Sequence, residues 1–231
     1  MNHNFKTWEE VTDYVNLRFS MPVSQWEHIV QNRNTYPAHA FSKGQLASKA
    51  WLIDELWELW RVRIEKLPTP NPDTVIILGS WVGSLIEPLF QQFPNIRRTY
   101  GIDIDAESIA KSEKLNQKHV QNEWKYKGVV ADVDNLTLNN CEFETGGELI
   151  TVKPNWIINT SCEHMDNNWF NSVDEDQLLI IQSNNSEEFE GHINTCDNLD
   201  EFIQKYPLKT QLMCGELSTP AYTRFMQIGF K

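Results

Sequence analysis

The chain has 231 residues, enough for one sizeable α/β core and too few for two ordinary catalytic domains. Apolar residues make up 40% and charged residues 23%, the balance of a soluble globular protein. A formal net charge of -12 argues against a broad basic face that would hold nucleic acid. The four cysteines, Cys141, Cys162, Cys196 and Cys214, form no CxxC pair and have no metal-ligand spacing. Free thiols in a reducing compartment are therefore expected, with no metal site. The opening MNHNFKTWEE has no basic, apolar signal segment, and the stretch from Val75 to Ile86 is too short to span a bilayer. The expectation is a cytoplasmic protein with no membrane partner.

Residues 1 to about 70 read as a helical extension. From Trp51 to Leu67, Ile53, Trp57, Trp60, Ile64 and Leu67 recur at helical spacing, and Leu52, Leu56 and Leu59 widen the stripe. The proline-rich PTPNPD, residues 68–73, stops this helix. Lys43, Gln45 and Lys49 precede it and read as its solvated start, or as groups that reach a ligand carboxylate if the helix lids the sheet edge.

The pattern then changes. TVIILG (74–79) is a short β-branched run ending in glycine, a buried parallel strand by composition, followed by a helix through Leu85, Leu89 and Phe90. RTYGIDID (98–105) is a second strand, Ala106 to Gln117 a second helix and YKGVVAD (126–132) a third strand. NWIINTS (155–161) and QLLIIQS (177–183) are a fourth and a fifth. After a helix around Leu199 to Tyr206 come KTQLMCGEL (209–217) and YTRFMQIGF (222–230), with only four residues between them. That gap is too short for a crossover helix, so these two strands pair antiparallel. The fold class is α/β: a Rossmann-like, seven-stranded, mostly parallel sheet with a reversed last strand and helices on both faces.

Three consecutive strand ends carry chemistry. The first runs into LGSWVGS (78–84), where Gly79 and Gly83 let backbone approach a ligand. The second ends in Asp103, whose two carboxylate oxygens suit a ribose diol; Asp105 is a rival or a helix cap. The third ends in Asp132 and Val133, a carboxylate and a backbone N–H able to meet adenine. The fourth ends in Asn159-Thr160-Ser161-Cys162-Glu163-His164-Met165. An unperturbed imidazole titrates near neutrality, so His164 is the candidate general base or else caps or packs the following helix. Glu163 orients it or a substrate amine, or charges the helix start. Cys162 reads as a buried thiol. His192 sits in a loop that emerges at the same sheet edge.

VIILGSWVG, GIDIDAESI, VVADVDNL and PNWIINTSCEHM together resemble the motif series of the class I S-adenosylmethionine-dependent methyltransferases, over roughly residues 74 to 231. Small methyltransferase-like proteins of tailed bacteriophages are similar in FSKGQLASKAWLIDEL, QSNN and YTRFMQIG. The resemblance implies a cofactor domain over 71–231 beneath a 1–70 extension or lid. It implies S-adenosylmethionine as cofactor and S-adenosylhomocysteine as product. Gly79, Ser80, Trp81, Gly83, Asp103, Ile104, Asp132, Val133 and Asn159 would hold it, with His164 and Glu163 catalytic. The acceptor would be a small molecule or a protein side chain, methylated on oxygen or nitrogen.

Two positions depart from the family pattern. Ile77 stands where an acid is usual, and Trp81 where a middle glycine is usual. They favour the alternative of a non-catalytic scaffold or virion-associated binding protein. A nucleotide-dependent oxidoreductase also places an acid about 20 residues past a glycine loop, but GxGxxG is missing here and the terminal hairpin disfavours it.

Overall fold

Alternation along the central strands decides the architecture. In β2 (Thr74–Leu78), Val75 and Ile77 join one apolar cluster while Ile76 and Leu78 join another. A strand that is apolar on both sides has to be covered on both sides. The computed structural model describes residues 2–19, 36–63, 72–121, 124–145, 147–189 and 191–231. Its sheet follows from that requirement.

The parallel strands are β2, β3 (Arg98–Asp103), β4 (Tyr126–Val130), β7 (Trp156–Asn159) and β8 (Leu178–Asn184). β9 (Thr210–Ser218) and β10 (Thr223–Phe230) form the expected antiparallel pair, and β10 also runs antiparallel to β8. The full order is β1-β9-β10-β8-β7-β2-β3-β4. The main sheet therefore has eight strands where the sequence reading has seven. The extra one is β1 (His3–Asn4), two residues that pair parallel to Leu217 and Ser218 at the edge. A strand this short has no periodicity by which to recognise it.

A second difference lies between β4 and β7. Among the described residues this crossover carries no α-helix. It contains a two-stranded antiparallel sheet, β5 (Cys141–Thr145) with β6 (Glu148–Val152), whose Phe143 packs edge-on to Tyr100 of β3 at 5.2 Å.

One face of the main sheet is covered by α1 (Trp8–Arg18), α2 (Lys43–Arg63) and α3 (Ile86–Gln92), through Val11, Val15, Trp51, Leu52, Leu56, Leu89 and Phe90. α4 (Ala106–Leu115) and α5 (Gln117–Gln121) flank β3 and β4, divided at Asn116, whose side chain bonds the Gly83 carbonyl at 3.0 Å. The opposite face is covered by the β5–β6 pair, α6 (Asn168–Asn171) and α7 (Leu199–Lys205), through Trp169, Phe170, Phe202 and Tyr206. α2 begins at Lys43, earlier than its apolar stripe suggests. Ile64, Leu67 and the stop at 68–71 lie outside the described residues. Buried Ser48 bonds Gln182 of β8 at 2.7 Å and so fixes α2 to the sheet. Among the described residues no helix is long and apolar enough to cross a membrane.

Candidate active site

β2 has β3 on one side and β7 on the other, so the direction of chain progression reverses there. Loops leaving the carboxyl ends of such strands diverge and open a crevice. The 79–84 loop, Asp103 and the 159–165 turn all emerge at this edge.

Gly79 and Gly83 have φ of +58° and +69°, a left-handed conformation that costs glycine nothing. Both also permit close packing. A Cβ on Gly79 would lie 2.9 Å from Cβ of Ser161, and one on Gly83 would run into Ser112 and Asn116. The Ser161 hydroxyl donates to the Gly79 carbonyl at 3.1 Å, joining the β2 loop to the β7 loop. The Ser80 N–H donates to the Ile102 carbonyl at 2.9 Å, holding the loop against β3.

Trp81 takes φ 48° without being glycine, a strain of roughly 1–2 kcal/mol. Two contacts hold it in place. Its N–H donates to Asp103 Oδ2 at 2.8 Å, and its indole stacks on His39 with ring centroids 4.9 Å apart.

Asp103 accepts a second backbone bond on Oδ1, from Asp105 N–H at 3.0 Å. Each oxygen then keeps a lone pair for another donor. Asp105 is the N-cap of α4, accepting from Glu107 N, Ser108 N and the Ser108 hydroxyl. The Ser108 hydroxyl and the two N–H groups hold its carboxyl below the usual range. Of the two acids, Asp103 is the one that bonds the glycine loop. Ile104 beside it is 71% exposed. Asp132 caps the 3-10 turn Val133–Asn135, accepting from Asp134 N at 3.1 Å and Asn135 Nδ2 at 2.9 Å, while the Val133 side chain is buried.

At the end of β7, buried Asn159 accepts from Ser161 N–H at 3.0 Å and donates to Met165 Sδ at 3.2 Å. Cys162 is fully buried, and burial pushes its thiol well above the usual range, which makes it a poor nucleophile.

The Glu163 carboxylate bonds elsewhere than to His164. Its Oε1 accepts from Asn184 Nδ2 at 2.6 Å and from Arg224 Nη2 at 3.2 Å, with both partners buried. Arg224 Nη1 donates to the Thr160 carbonyl at 3.0 Å. The Glu163 carbonyl accepts from Ile193 and Asn194 N–H, which pins the 191–194 segment to the turn.

His164 is oriented by that segment. Its Nδ1 lies 3.1 Å from the Gly191 carbonyl, which has only lone pairs to offer, so Nδ1 carries the proton and Nε2 is left open. Burial lowers its pKa, with the neighbouring His192 and Arg224 acting in the same direction against Glu163. The imidazole is thus held neutral near pH 7, the state a base requires. His192 repeats the pattern, with Nδ1 against the Ser186 carbonyl, and its ring stands edge-on to His164 at 4.5 Å. Phe189 and Ile193, 50% and 70% exposed, flank this pair, and Phe189 lies 5.3 Å from the His192 ring.

Lys49 corrects the sequence reading. It is 6% exposed, and its ammonium is held by Gln45 Oε1 at 2.8 Å. Burial, and next the charge of Arg224, bring its pKa down to about 7 against the pull of Glu163. Lys43 meanwhile points back to the Trp8 carbonyl. The sequence reading passed over Arg224 and Asn184 as well. They lie on β10 and β8, and only the sheet order brings them to Glu163.

The sign of the Lys49 effect is testable. Between pH 7 and 10.5 the unfolded state keeps a proton that the folded state has released, so stability rises with pH across that window. Urea unfolding in EDTA should show the parent gaining stability relative to Lys49→Met from pH 7 to 10. A constant difference would mean that Lys49 keeps its ordinary pKa.

No protein-family model and no curated protein matches this chain by sequence. By fold it is similar to the methyltransferase PaMTH1 of Podospora anserina, solved with S-adenosylhomocysteine (TM-score 0.56, 15% identity, 96% of this chain and 94% of that one). The magnesium protoporphyrin IX methyltransferase of Synechocystis PCC 6803, also solved with S-adenosylhomocysteine, gives TM-score 0.56 at 17% identity over 96% and 99% of the two chains. The mitomycin 7-O-methyltransferase MmcR gives 0.50 at 13%, over 98% of this chain and 68% of that one. At these identities the likeness establishes the fold: α/β, Rossmann-like and shared with S-adenosylmethionine-dependent methyltransferases.

Proposed function

We propose that this chain transfers the methyl group of S-adenosylmethionine to an oxygen or nitrogen of a small-molecule acceptor. The observation that carries this reading is the convergence, at one switch point, of a glycine loop, an acid bonded to that loop and an oriented imidazole.

The residues present fit the cofactor. Asp103 keeps a lone pair on each oxygen for a ribose diol, and exposed Ile104 beside it offers an apolar surface for adenine. Gly79, Ser80, Trp81 and Gly83 would border the amino-acid portion, and Asp132, Val133 and Asn159 the rest. Residues 71–231 would form the cofactor domain, and 1–70 a cover over it. When bound, the cofactor supplies a methyl group on a positively charged sulfur, open to in-line displacement. The chain's own task is to align the nucleophile and receive its proton. His164 Nε2 is the open base for that proton. Phe189 and Ile193 give an apolar wall suited to a small acceptor more than to a charged polymer, in keeping with the net charge of -12.

Incubation with methyl-tritiated cofactor and a panel of phenols, carboxylic acids and amines tests the reading. Labelling of a discrete acceptor is expected. His164→Ala should lower turnover about 100-fold or more while leaving S-adenosylhomocysteine affinity within about twofold. Equal rates in variant and parent would remove His164 as the base.

Trp81 favours a second reading. A bulky residue of strained backbone, stacked on His39, stands where the resembled family has a glycine, as in a scaffold that has kept the fold without turnover. Cofactor binding with no labelled acceptor would favour that reading.

A further inference from the structure

The fold gathers three electron-pair donors that the sequence leaves far apart. One carboxylate oxygen of Glu163 and one ring nitrogen each of His164 and His192 all lie within 4.8 Å of one another. Both imidazoles give their Nδ1 proton to a backbone carbonyl, Gly191 for one and Ser186 for the other. The lone pairs left for binding are therefore those of the two Nε2 atoms. An imidazole fixed through one nitrogen to a carbonyl, with the other open, is the usual outer-sphere arrangement of a metal-binding histidine.

Glu163 supplies an independent observation. It is 2% exposed, and its Oε2 is buried with no hydrogen-bond partner. A buried carboxylate oxygen without a donor is costly, by about 1–3 kcal/mol, unless something electron-poor reaches it. Arg224 and Asn184 both bond Oε1, so they compensate the charge without taking the second oxygen.

We infer that Glu163, His164 and His192 form a binding site for a divalent first-row transition metal, with zinc as the representative ion. Two imidazoles and one carboxylate are a nitrogen-rich donor set that suits zinc, iron or cobalt better than magnesium or calcium. Three protein ligands leave a position open in a four-coordinate ion, as in catalytic zinc sites. An acceptor hydroxyl at that position would be made more acidic by coordination. With the ion bound, His164 Nε2 would be a ligand and not the base, and the proton of a coordinated acceptor hydroxyl would pass to solvent water. The inference uses the same crevice as the proposed methyl transfer but does not depend on it.

The test reads metal, not turnover. The full chain is stripped with a chelator, dialysed, and titrated calorimetrically with zinc chloride in the absence of cofactor. One-to-one binding in the micromolar range or tighter is expected. His192→Ala, a half-buried loop position, should weaken it roughly tenfold or more. Cobalt(II) should give visible absorption of a low-coordinate ion in the parent and lose it in His192→Ala. Absence of saturable zinc binding, or affinity and spectrum unchanged in His192→Ala, would overturn the inference. If His192→Ala melts early, the cobalt spectrum of the parent still decides: an octahedral aquo-type spectrum rejects the site. Binding of S-adenosylhomocysteine without zinc would remove only the metal, and zinc binding without S-adenosylhomocysteine only the methyl transfer.

Discussion

Replacing Asp103 with alanine is expected to lower S-adenosylhomocysteine affinity about 100-fold or more and to leave the fold in place. A carboxylate that accepts from two ribose hydroxyls makes two charge-assisted bonds, each worth about 1.5–3 kcal/mol. The same change removes the acceptor for Trp81 N–H, so the glycine loop also loses an anchor. Asp103→Asn keeps one acceptor oxygen and should fall between parent and alanine variant. Circular dichroism melts check that the loss concerns binding, since Asp103 is only half-buried at the rim of the sheet. Unchanged affinity by calorimetry would show that another group holds the ribose.

The second large effect is on stability. Arg224→Met should cost about 3–5 kcal/mol, because it leaves the Glu163 carboxylate buried without its ion-pair partner. Arg224 and Glu163 are each 2% exposed and sit 3.2 Å apart, so solvent cannot replace the lost charge. The main compensation available is Lys49. Burial, the larger cause of its lowered pKa, stays in place, but with Arg224 gone one opposing charge is removed and the pull of Glu163 raises the pKa towards the charged form. The double variant Arg224→Met/Glu163→Gln should recover part of the loss, since no uncompensated charge remains. Urea unfolding of the two single variants and the double closes the cycle. A cost under about 1 kcal/mol for Arg224→Met would mean that the pair contributes little to holding β10 against the 161–164 turn.

The central strands β2, β7 and β8 are legible in the sequence because each is a short, nearly continuous apolar run, the signature of a strand buried on both faces. The antiparallel β9–β10 pair is legible because four residues cannot hold a crossover helix. Strand ends are less so. RTYGIDID reads on to Asp105, but Asp105 turns away to cap α4 and the ladder stops at Asp103. The β5–β6 pair carried a signal that periodicity alone could have found: Cys141 and Phe143 alternate with Glu142 and Glu144 before two glycines. β1 carried none.

The candidate site divides in the same way. Gly79, Gly83, Asp103, Glu163 and His164 stand at strand ends, where position along the chain already indicates position in space. Arg224, Asn184 and Lys49 do not. Arg224 and Asn184 sit in strands that become neighbours of the crevice only through the sheet order. Lys49 is one polar residue at the start of a helix otherwise rich in tryptophan and leucine. A lysine there reads as solvated until the Ser48–Gln182 bond and the packing of α2 on β9 and β10 bury it. The contact of His192 with His164 also depends on a tertiary bond, the pinning of residues 193 and 194 to the Glu163 carbonyl.

Calorimetric titration of the full chain with S-adenosylhomocysteine tests the cofactor site most directly. One-to-one binding in the micromolar range, abolished or weakened about 100-fold by Asp103→Ala, is the predicted result. No heat at millimolar ligand would contradict it: the fold would then persist without its cofactor, and the scaffold reading would stand in place of the enzyme.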